Sequence, residues 1–168
     1  MRPSLIPPPV WMLIVSIAMW ELNRRWPLVT VIAAPWNRVG WCVMVVAFIA
    51  PFAAISQFGH AGTTVNPHQP EQTSTLVTGG IYAWTRNPMY LGLTVLLIGW
   101  ATRLGTLTPF VGPVLFVPLI ERVQILPEER VLRARFGKEY EDYCARVNRW
   151  LGRRRITAEA RSPPPSSP

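Results

Sequence analysis

The chain has 168 residues, of which 49% are hydrophobic and only 15% are charged. This length suits one domain, and the composition is too apolar and too poor in charge for an ordinary soluble protein. The net charge of +8 could fit a nucleic-acid partner, but eleven basic and seven acidic residues lie from Glu121 onward, at the C-terminal end of the chain. Basic flanks of this kind face the cytoplasm and anionic lipid. The composition therefore predicts an integral membrane protein with no nucleic-acid partner.

Four apolar runs follow one another along the chain: Leu5 to Trp20, Trp36 to Ser56, Met89 to Thr102 and Leu107 to Leu126. A bilayer crossing needs about 20 residues, and the second run fits this length best. The last two runs are expected to form a hairpin that turns at Arg103 to Thr106. The first run lacks a signal-peptide cleavage site and is interpreted as a membrane helix. We therefore expect an all-α bundle of about four transmembrane helices.

The second run and the segment after it carry turn-forming residues. Pro51 is expected to kink the second helix, which membrane proteins tolerate when neighbours satisfy the freed carbonyl. The segment from Phe58 to Thr78 is rich in Gly, Pro and Thr and has no helical periodicity, so a long loop is expected there. Its last part, Thr75 to Gly80, is interpreted as a short extended piece that leads into a turn.

The charge distribution favours a cytoplasmic position for both termini and for the loop from Gln57 to Pro88. Arg24, Arg25 and Arg38 in the first loop oppose this orientation. A re-entrant first run would move only the N-terminus, so the second loop and the C-terminus share one side in either case.

A C-terminal helix is expected to begin near Pro127, because proline suits a first helical position and Glu128 and Glu129 suit a first turn. Its apolar residues recur every three or four positions and form one stripe: Leu132, Phe136, Tyr140, Tyr143, Val147 and Trp150. Such an amphipathic helix lies in the membrane interface or packs over the end of the bundle. Gly137 is expected to divide it into two shorter helices.

The two cysteines, Cys42 and Cys144, form neither a disulfide framework nor a metal-ligand pattern. His60 and His68 lie in the Gly- and Pro-rich segment without the spacing of a metal site. The sequence therefore predicts no bound metal.

Polar side chains concentrate at the two ends of the expected hairpin that lie on the same membrane face. One cluster runs from Tyr82 to Gly92 and the other from Arg122 to Arg130. The hairpin must bring these ends together, so we expect a cleft with charged and aromatic walls. Its expected members are Tyr82, Trp84, Arg86, Asn87, Tyr90, Arg122, Glu128 and Glu129. Such a cleft suits a zwitterionic or cationic ligand with an aromatic part.

The same residues occur in motifs that resemble a superfamily of small integral membrane enzymes, the isoprenylcysteine carboxyl methyltransferases and phospholipid methyltransferases. The matching segments are Leu76 to Tyr82, Thr85 to Gly92, Leu126 to Arg130, Phe136 to Tyr143 and Val147 to Leu151. The resemblance covers about residues 76–151, the expected catalytic part of a single domain over 1–151. The polar, Pro-rich segment 152–168 is expected to be a disordered tail.

The resemblance implies S-adenosyl-L-methionine as methyl donor, S-adenosyl-L-homocysteine as product and no metal. It implies donor contacts from these residues: Tyr82, Arg86, Asn87, Pro88, Tyr90, Gly92, Glu128 and Glu129. Arg86 suits the donor carboxylate, and the aromatic rings suit the sulfonium. Arg122 would orient an acceptor carboxylate, whereas Glu129 would take the proton of an acceptor amine or thiol. These two residues are the expected catalytic residues.

The methyl acceptor is left open by Asn87. Eukaryotic-type members of the superfamily have histidine at this position, and asparagine does not titrate near neutral pH. A lipid-like or small apolar acceptor is expected, which carries a carboxylate, a phospholipid amine or a small thiol. The excess of arginine over a single lysine, Lys138, favours a bacterial inner-membrane protein with its site on the cytoplasmic side. A non-catalytic membrane adaptor is the alternative outside the enzyme class.

Overall fold

The computed structural model describes residues 6–60 and 75–153. Over these residues the chain is all-helical, as predicted. The helices are α1 (Pro8–Arg25), α2 (Val39–Val46), α3 (Ile49–His60), α4 (Pro88–Leu104), α5 (Val111–Ile120) and α6 (Leu126–Arg146). The predicted tail from residue 154 and the loop residues 61–74, with His68, lie outside the described residues.

These helices join into four rods over the described ranges. One continuous helical rod, Trp36–Gln57, contains α2 and most of α3, and a second, Thr108–Arg146, contains α5 and α6. Within the described residues these two are long and apolar enough to cross a bilayer, while Pro88–Leu104 is a shorter apolar helix. Large apolar side chains also face outward on several helices, among them Val45, Phe52, Val114 and Leu115. Because only two of the described helices reach the length of a crossing, four complete crossings stay a prediction.

α4 is the central helix and packs against α1, α2, α3 and α5. Small residues allow its close approach to α2 and α3. A Cβ atom on Gly40 would lie 2.5 Å from the carbonyl oxygen of Gly99, and one on Gly92 would lie 2.6 Å from the ring of Pro51. Backbones can approach so closely only where side chains are missing, as at many helix contacts in membranes.

Pro51 is associated with the predicted irregularity of the second helix. The break between α2 and α3 falls at Ala47 and Phe48, one turn before the proline. Proline has no N–H for the carbonyl of Ala47, four residues earlier, and its ring crowds that carbonyl. The loop that follows begins later than expected, because α3 continues to His60 and includes the first residues assigned to the loop.

The hairpin turn lies where the sequence predicts it. α4 ends at Leu104, and Gly105 has φ 82°, a left-handed conformation that glycine adopts without a Cβ clash. Its carbonyl accepts hydrogen bonds from the N–H groups of Val31 and Ile32, both at 2.9 Å. The turn is therefore fixed to the loop that follows α1.

The fourth run and the C-terminal helix are one continuous helix, which corrects the expectation of a separate helix. α6 begins beside Pro127 as predicted, but a π turn, Glu121–Ile125, joins it to α5 without a loop. Pro127 accounts for this wider turn, since it cannot donate to the carbonyl of Val123 and its ring displaces that carbonyl. Gly137 interrupts α6 at φ 49°, in agreement with the predicted division.

The apolar stripe of α6 packs against the segment before α4. Tyr140, Tyr143 and Val147 form a buried cluster that Leu76 and Tyr82 join. After α6 the chain turns back in an irregular segment, 147–153, which we call the strap. Its last two residues, 152 and 153, are expected in the tail but belong to the strap, because Val147 pairs with Arg153 in an isolated β-bridge. The position of α6 relative to a membrane interface stays a prediction.

Candidate functional site

The segment before α4 presents polar side chains at the helix start. A short 3₁₀ turn, Gly80–Ala83, leads to the buried Thr85, whose hydroxyl accepts a hydrogen bond from the N–H of Asn87 at 3.1 Å. Pro88 is the first residue of α4, where its missing N–H costs nothing. Arg86 thereby lies between a tight turn and a helix start. The backbone is fixed on both sides of it, which limits the directions that its side chain can take.

Arg86 forms a buried ion pair with α6. Its Nη1 atom lies 3.0 Å from Oε1 of Glu129, and both side chains are only 9% exposed. The same nitrogen lies 2.8 Å from the sulfur of Cys144 and 3.4 Å from the hydroxyl of Tyr140. The two polar clusters at the hairpin end therefore meet, as the sequence predicts.

A second arginine holds the other side of Glu129. Arg149, in the strap, donates from Nε to Oε1 at 2.9 Å and from Nη2 to Oε2 at 2.8 Å. Its Nη1 lies 3.6 Å from Oε1 of Glu121, which also accepts a hydrogen bond from Trp150 Nε1 at 2.6 Å. The hydrogen bonds with Glu129 raise the pKa of Arg149 above its ordinary value, despite partial burial. Both oxygens of Glu129 are thus occupied by guanidinium groups.

Glu128 has a different environment from its neighbour. Its Oε1 accepts a hydrogen bond from the hydroxyl of Tyr90 at 2.5 Å, and Tyr90 is buried. Burial, and secondly the charge of Glu128, raise the pKa of Tyr82, so this phenol is neutral at physiological pH. The second oxygen of Glu128 accepts no hydrogen bond from the described residues. Glu128 is therefore a carboxylate with free acceptor capacity beside two tyrosines.

The strap is bound to the segment before α4 through the backbone. The N–H of Arg86 donates to the carbonyl of Asn148 at 3.2 Å, and the N–H of Gly152 donates to the carbonyl of Trp84 at 2.8 Å. Asn87 Nδ2 donates to the carbonyl of Arg149 at 3.1 Å. Three chain segments therefore build one polar cluster: the segment before α4, the first turn of α6 and the strap.

The structure brings five of the predicted residues into this cluster: Tyr82, Arg86, Tyr90, Glu128 and Glu129. They come from the segment before α4, from α4 itself and from the first turn of α6. The cluster is therefore assembled across the hairpin, as its topology predicts.

The other predicted residues lie at the edge of the cluster or outside it. Three have contacts that explain them by folding: Asn87 holds the strap, Pro88 begins α4, and Gly92 allows the contact of α4 with Pro51. Trp84, an expected wall of the cleft, is exposed. Arg122 is exposed in the π turn, and its side chain forms no hydrogen bond or ion pair with the described part of the chain. It lies outside the buried network.

Three members of the cluster have no role at the site in the sequence-based expectation: Tyr140, Cys144 and Arg149. Tyr140 is predicted in the apolar stripe, which it also joins, and Cys144 is a half-buried thiol. Arg149 belongs to a segment that carries the family resemblance, Val147 to Leu151, and that match is the available signal. Helical periodicity gives no signal for Arg149: it places this residue off the apolar stripe, but α6 ends at Arg146, so helical spacing does not apply to the strap.

One buried donor in the cluster has no partner among the described residues. Arg86 Nε is buried and forms no hydrogen bond with residues 6–60 or 75–153. An unpaired buried donor costs about 1–3 kcal/mol, and such groups in native proteins need an explanation. In the same described ranges no group of three or more His, Cys, Asp and Glu side chains could hold a metal ion. The unpaired nitrogen is a suitable contact for an anionic ligand group.

Comparison with known proteins assigns the chain to a family. The family model for phospholipid methyltransferases matches residues 36–139, which is more than half of the chain. The chain belongs to the phospholipid methyltransferase family. This family also contains the isoprenylcysteine carboxyl methyltransferases, and its members are multi-pass membrane enzymes that use S-adenosylmethionine. The predicted resemblance is therefore confirmed at the level of the family.

Individual relatives are similar over parts of the chain. The protein-S-isoprenylcysteine O-methyltransferase of Rattus norvegicus is 40% identical over 101 residues, 59% of this chain and 34% of that protein. The Homo sapiens protein of the same name is 35% identical over 130 residues, 74% of this chain and 44% of that protein. A Haemophilus influenzae protein whose name states no function is 40% identical over 63 residues, 38% of this chain and all of that protein. The chain thus spans less than half of these two mammalian enzymes.

Proposed function

We propose that this protein is an S-adenosylmethionine-dependent methyltransferase whose active site is the cluster around Arg86, Glu128 and Glu129. The observation that carries the proposal is the buried Arg86–Glu129 pair at 3.0 Å, with Arg86 Nε unpaired beside it among the described residues. Buried charges cost several kcal/mol of desolvation, so a membrane protein retains them where they serve a ligand or a switch. Family membership supports the identity of the donor.

The residues of the cluster fit the donor. Arg86 Nε can donate to its carboxylate, since the other contacts of this guanidinium are made through Nη1. Glu128 can accept from the ribose hydroxyls or the ammonium group with its second oxygen. The rings of Tyr82 and Tyr90 border this carboxylate and can face a sulfonium, at about 1 kcal/mol of cation–π attraction. Asn87, Pro88 and Gly92 would contribute by fixing the backbone around the donor.

The donor supplies an activated methyl group when it is bound. The chain's own contribution is to hold donor and acceptor in line in a site that excludes water. Glu129 is engaged at both oxygens, so we assign it to holding Arg86. Glu128 is the better candidate to take a proton from an amine or thiol acceptor. Arg122 remains our candidate to orient an acceptor carboxylate, from the exposed side of the π turn.

The proposed acceptor is lipid-like or small and apolar, and reaches the site from the bilayer. An isoprenylcysteine-type carboxylate is the acceptor that the names of the mammalian relatives indicate. A phospholipid amine or a small thiol is the alternative within the same class. We propose a bacterial inner membrane because of the excess of arginine over lysine, and a cytoplasmic position for the cluster because of the basic C-terminal part.

Binding of S-adenosylhomocysteine to the detergent-solubilised protein tests the proposal. We expect millimolar ligand to raise the midpoint of thermal unfolding, because a ligand that binds the native state stabilises it. Arg86→Ala should weaken this binding, whereas Arg38→Ala, an exposed arginine outside the cluster, should not. Absence of stabilisation in the wild type would favour a membrane adaptor without catalysis.

Incubation of membranes with donor labelled in the methyl group identifies the acceptor class. Label in extracted lipid would indicate a phospholipid amine, base-labile label in protein a carboxylate, and volatile label a small thiol. No transfer to any of these fractions, despite donor binding, would contradict the proposed acceptor classes.

A further inference from the structure

The π turn sets the angle between two carboxylates of the long helix. A regular α-helix advances about 100° per residue, so side chains eight positions apart diverge by about 80°. Glu121 and Glu129 are eight positions apart, but the π turn Glu121–Ile125 lies between them. A π turn takes up one additional residue, which leaves about seven effective positions, or nearly two complete turns. The two carboxylates therefore share one face of the helix.

One side chain uses this alignment. Arg149 contacts Glu129 with Nε and Nη2 at 2.9 and 2.8 Å, and Glu121 with Nη1 at 3.6 Å. The fork of a guanidinium can engage a carboxylate at two points and a second carboxylate with the remaining nitrogen, which an ammonium group cannot do. Arg149 thus joins the π turn to the first turn of α6.

The backbone of Arg149 is held as firmly as its side chain. Its carbonyl accepts hydrogen bonds from Asn87 Nδ2 at 3.1 Å and from the Thr85 hydroxyl at 3.4 Å. These donors flank Arg86 in the sequence. The segment that carries Arg86 therefore binds the backbone of Arg149, while the carboxylate that binds Arg86 is held by the side chain of Arg149.

This closed set of contacts determines how Arg86 is presented. Oε1 of Glu129 accepts hydrogen bonds from both Arg86 Nη1 and Arg149 Nε, at 3.0 and 2.9 Å. Without Arg149, the Glu129 carboxylate and the Arg86 guanidinium could turn so that both oxygens accept from Nε and Nη2 of Arg86. This is the edge through which Arg149 itself engages Glu129, in the bidentate geometry that arginine prefers. The nitrogen that is now unpaired would then be occupied.

We propose that Arg149 is a positioning residue of the donor site, which orients Glu129 and thereby keeps Arg86 Nε available for the donor carboxylate. The proposal rests on the function proposed above and extends it to the strap and the π turn. It requires the forked guanidinium and not positive charge alone. Glu121 contributes less than Glu129 to holding Arg149 in place, because its contact with Arg149 is longer.

Titration calorimetry with S-adenosylhomocysteine on the full chain tests this role. Arg149→Lys and Arg149→Gln should each weaken binding about tenfold or more, the loss expected for charge-assisted hydrogen bonds. Glu121→Gln should weaken it about threefold, since the lost contact is longer and partly exposed. Arg146→Gln is the matched control, because Arg146 is an exposed arginine at the end of α6, three residues before Arg149. It should bind as the wild type does.

Rescue separates positioning from a general loss of structure. Guanidinium ion added at millimolar concentration to Arg149→Ala should restore part of the lost affinity, whereas ammonium ion should not. If Arg149→Ala does not fold, Arg149→Lys supplies the comparison, since it retains the charge and the aliphatic stem.

The outcomes distinguish this proposal from the one it rests on. A wild type that does not bind S-adenosylhomocysteine overturns the proposed function and the positioning role with it. A wild type that binds, together with Arg149→Lys of equal affinity, overturns the positioning role alone. If Arg149→Gln and Arg146→Gln weaken binding by the same factor, the positioning role is also overturned. The loss of one positive charge would then explain both results.

Discussion

The hairpin formed by α4 and α5 has a turn on one side of the molecule and an open end, where the candidate site lies, on the other. Both regions are polar, but their polar groups differ in kind. At the turn, Asn37 Nδ2 donates to the carbonyl of Arg103 at 3.3 Å, and the Thr108 hydroxyl donates to that of Trp26 at 2.7 Å. At the opposite end, Arg86, Glu129 and Arg149 form a network of charges. Neutral bonds to backbone close the first end, while ion pairs build the second.

The difference indicates which end is built for a ligand. A turn needs only to satisfy backbone groups, and short neutral side chains do this at little cost. Burying ion pairs gains little stability over apolar packing, because desolvation offsets the attraction. Arg103 at the turn also has a buried unpaired Nε among the described residues, but it lies over the ring of Trp41 without a carboxylate. Of these two ends, the second combines buried ion pairs with free hydrogen-bonding capacity.

Removing the carboxylate of Glu129, which Arg86 and Arg149 share, should reduce the stability more than any other change considered at either end. Glu129→Ala leaves two arginines without their partner, and we expect about 3 kcal/mol less free energy of unfolding, as for broken buried ion pairs. Denaturation in mixed micelles measures it, with Glu141→Ala, an exposed residue of the same helix, as control. Equal stability of the two variants would mean that the network is solvated and carries little energy.

A steric change in the bundle should come next and should leave the charged end intact. Gly40→Ala places a Cβ 2.5 Å from the Gly99 carbonyl oxygen, so the helices must separate at a cost of about 2 kcal/mol after the gain in helix propensity. Gly79→Ala is the control, since nothing in the described ranges lies within 4 Å of its Cβ. The folded fraction of both should bind S-adenosylhomocysteine normally. Loss of affinity in Gly40→Ala would show that the two regions are coupled.

Removing one hydroxyl from the charged end should have a moderate effect. Tyr90→Phe deletes the hydrogen bond to Glu128, made at 2.5 Å, and we expect a loss of about 1.5 kcal/mol in stability. Donor affinity should also fall, because Glu128 is then free to turn. Stability and affinity are measured on the same sample, with Tyr82→Phe for comparison. A purely structural role for this pair would change the stability and leave the affinity unchanged.

The smallest effect is expected at the turn. Thr108→Val removes a hydroxyl that donates to the Trp26 carbonyl and accepts from the Leu28 N–H. We expect about 1 kcal/mol of destabilisation from these neutral bonds. Thr102→Val, whose hydroxyl donates within its own helix, is the control. Reduced donor affinity in Thr108→Val would contradict a role for the turn that is limited to folding.

Much of the fold is predictable because apolar length and turn residues act locally. The run from Trp36 to Ser56 predicts one helical rod, and Gly105 marks the turn of the hairpin. The joined α5 and α6 are not predictable from such signals. Pro127 and the two glutamates after it are typical of a helix start, and only packing decides that the chain continues through a wide turn instead of a loop.

The sequence by itself determined the family, the all-helical character and the meeting of the segment around Arg86 with the first turn of α6, since topology alone brings these two segments together. It did not distinguish the two glutamates. The tertiary structure did, because Arg149 returns in the strap to occupy Glu129, while Tyr90 contacts Glu128. Adjacent residues on a helix point in directions about 100° apart, so their partners depend on segments that are distant along the chain.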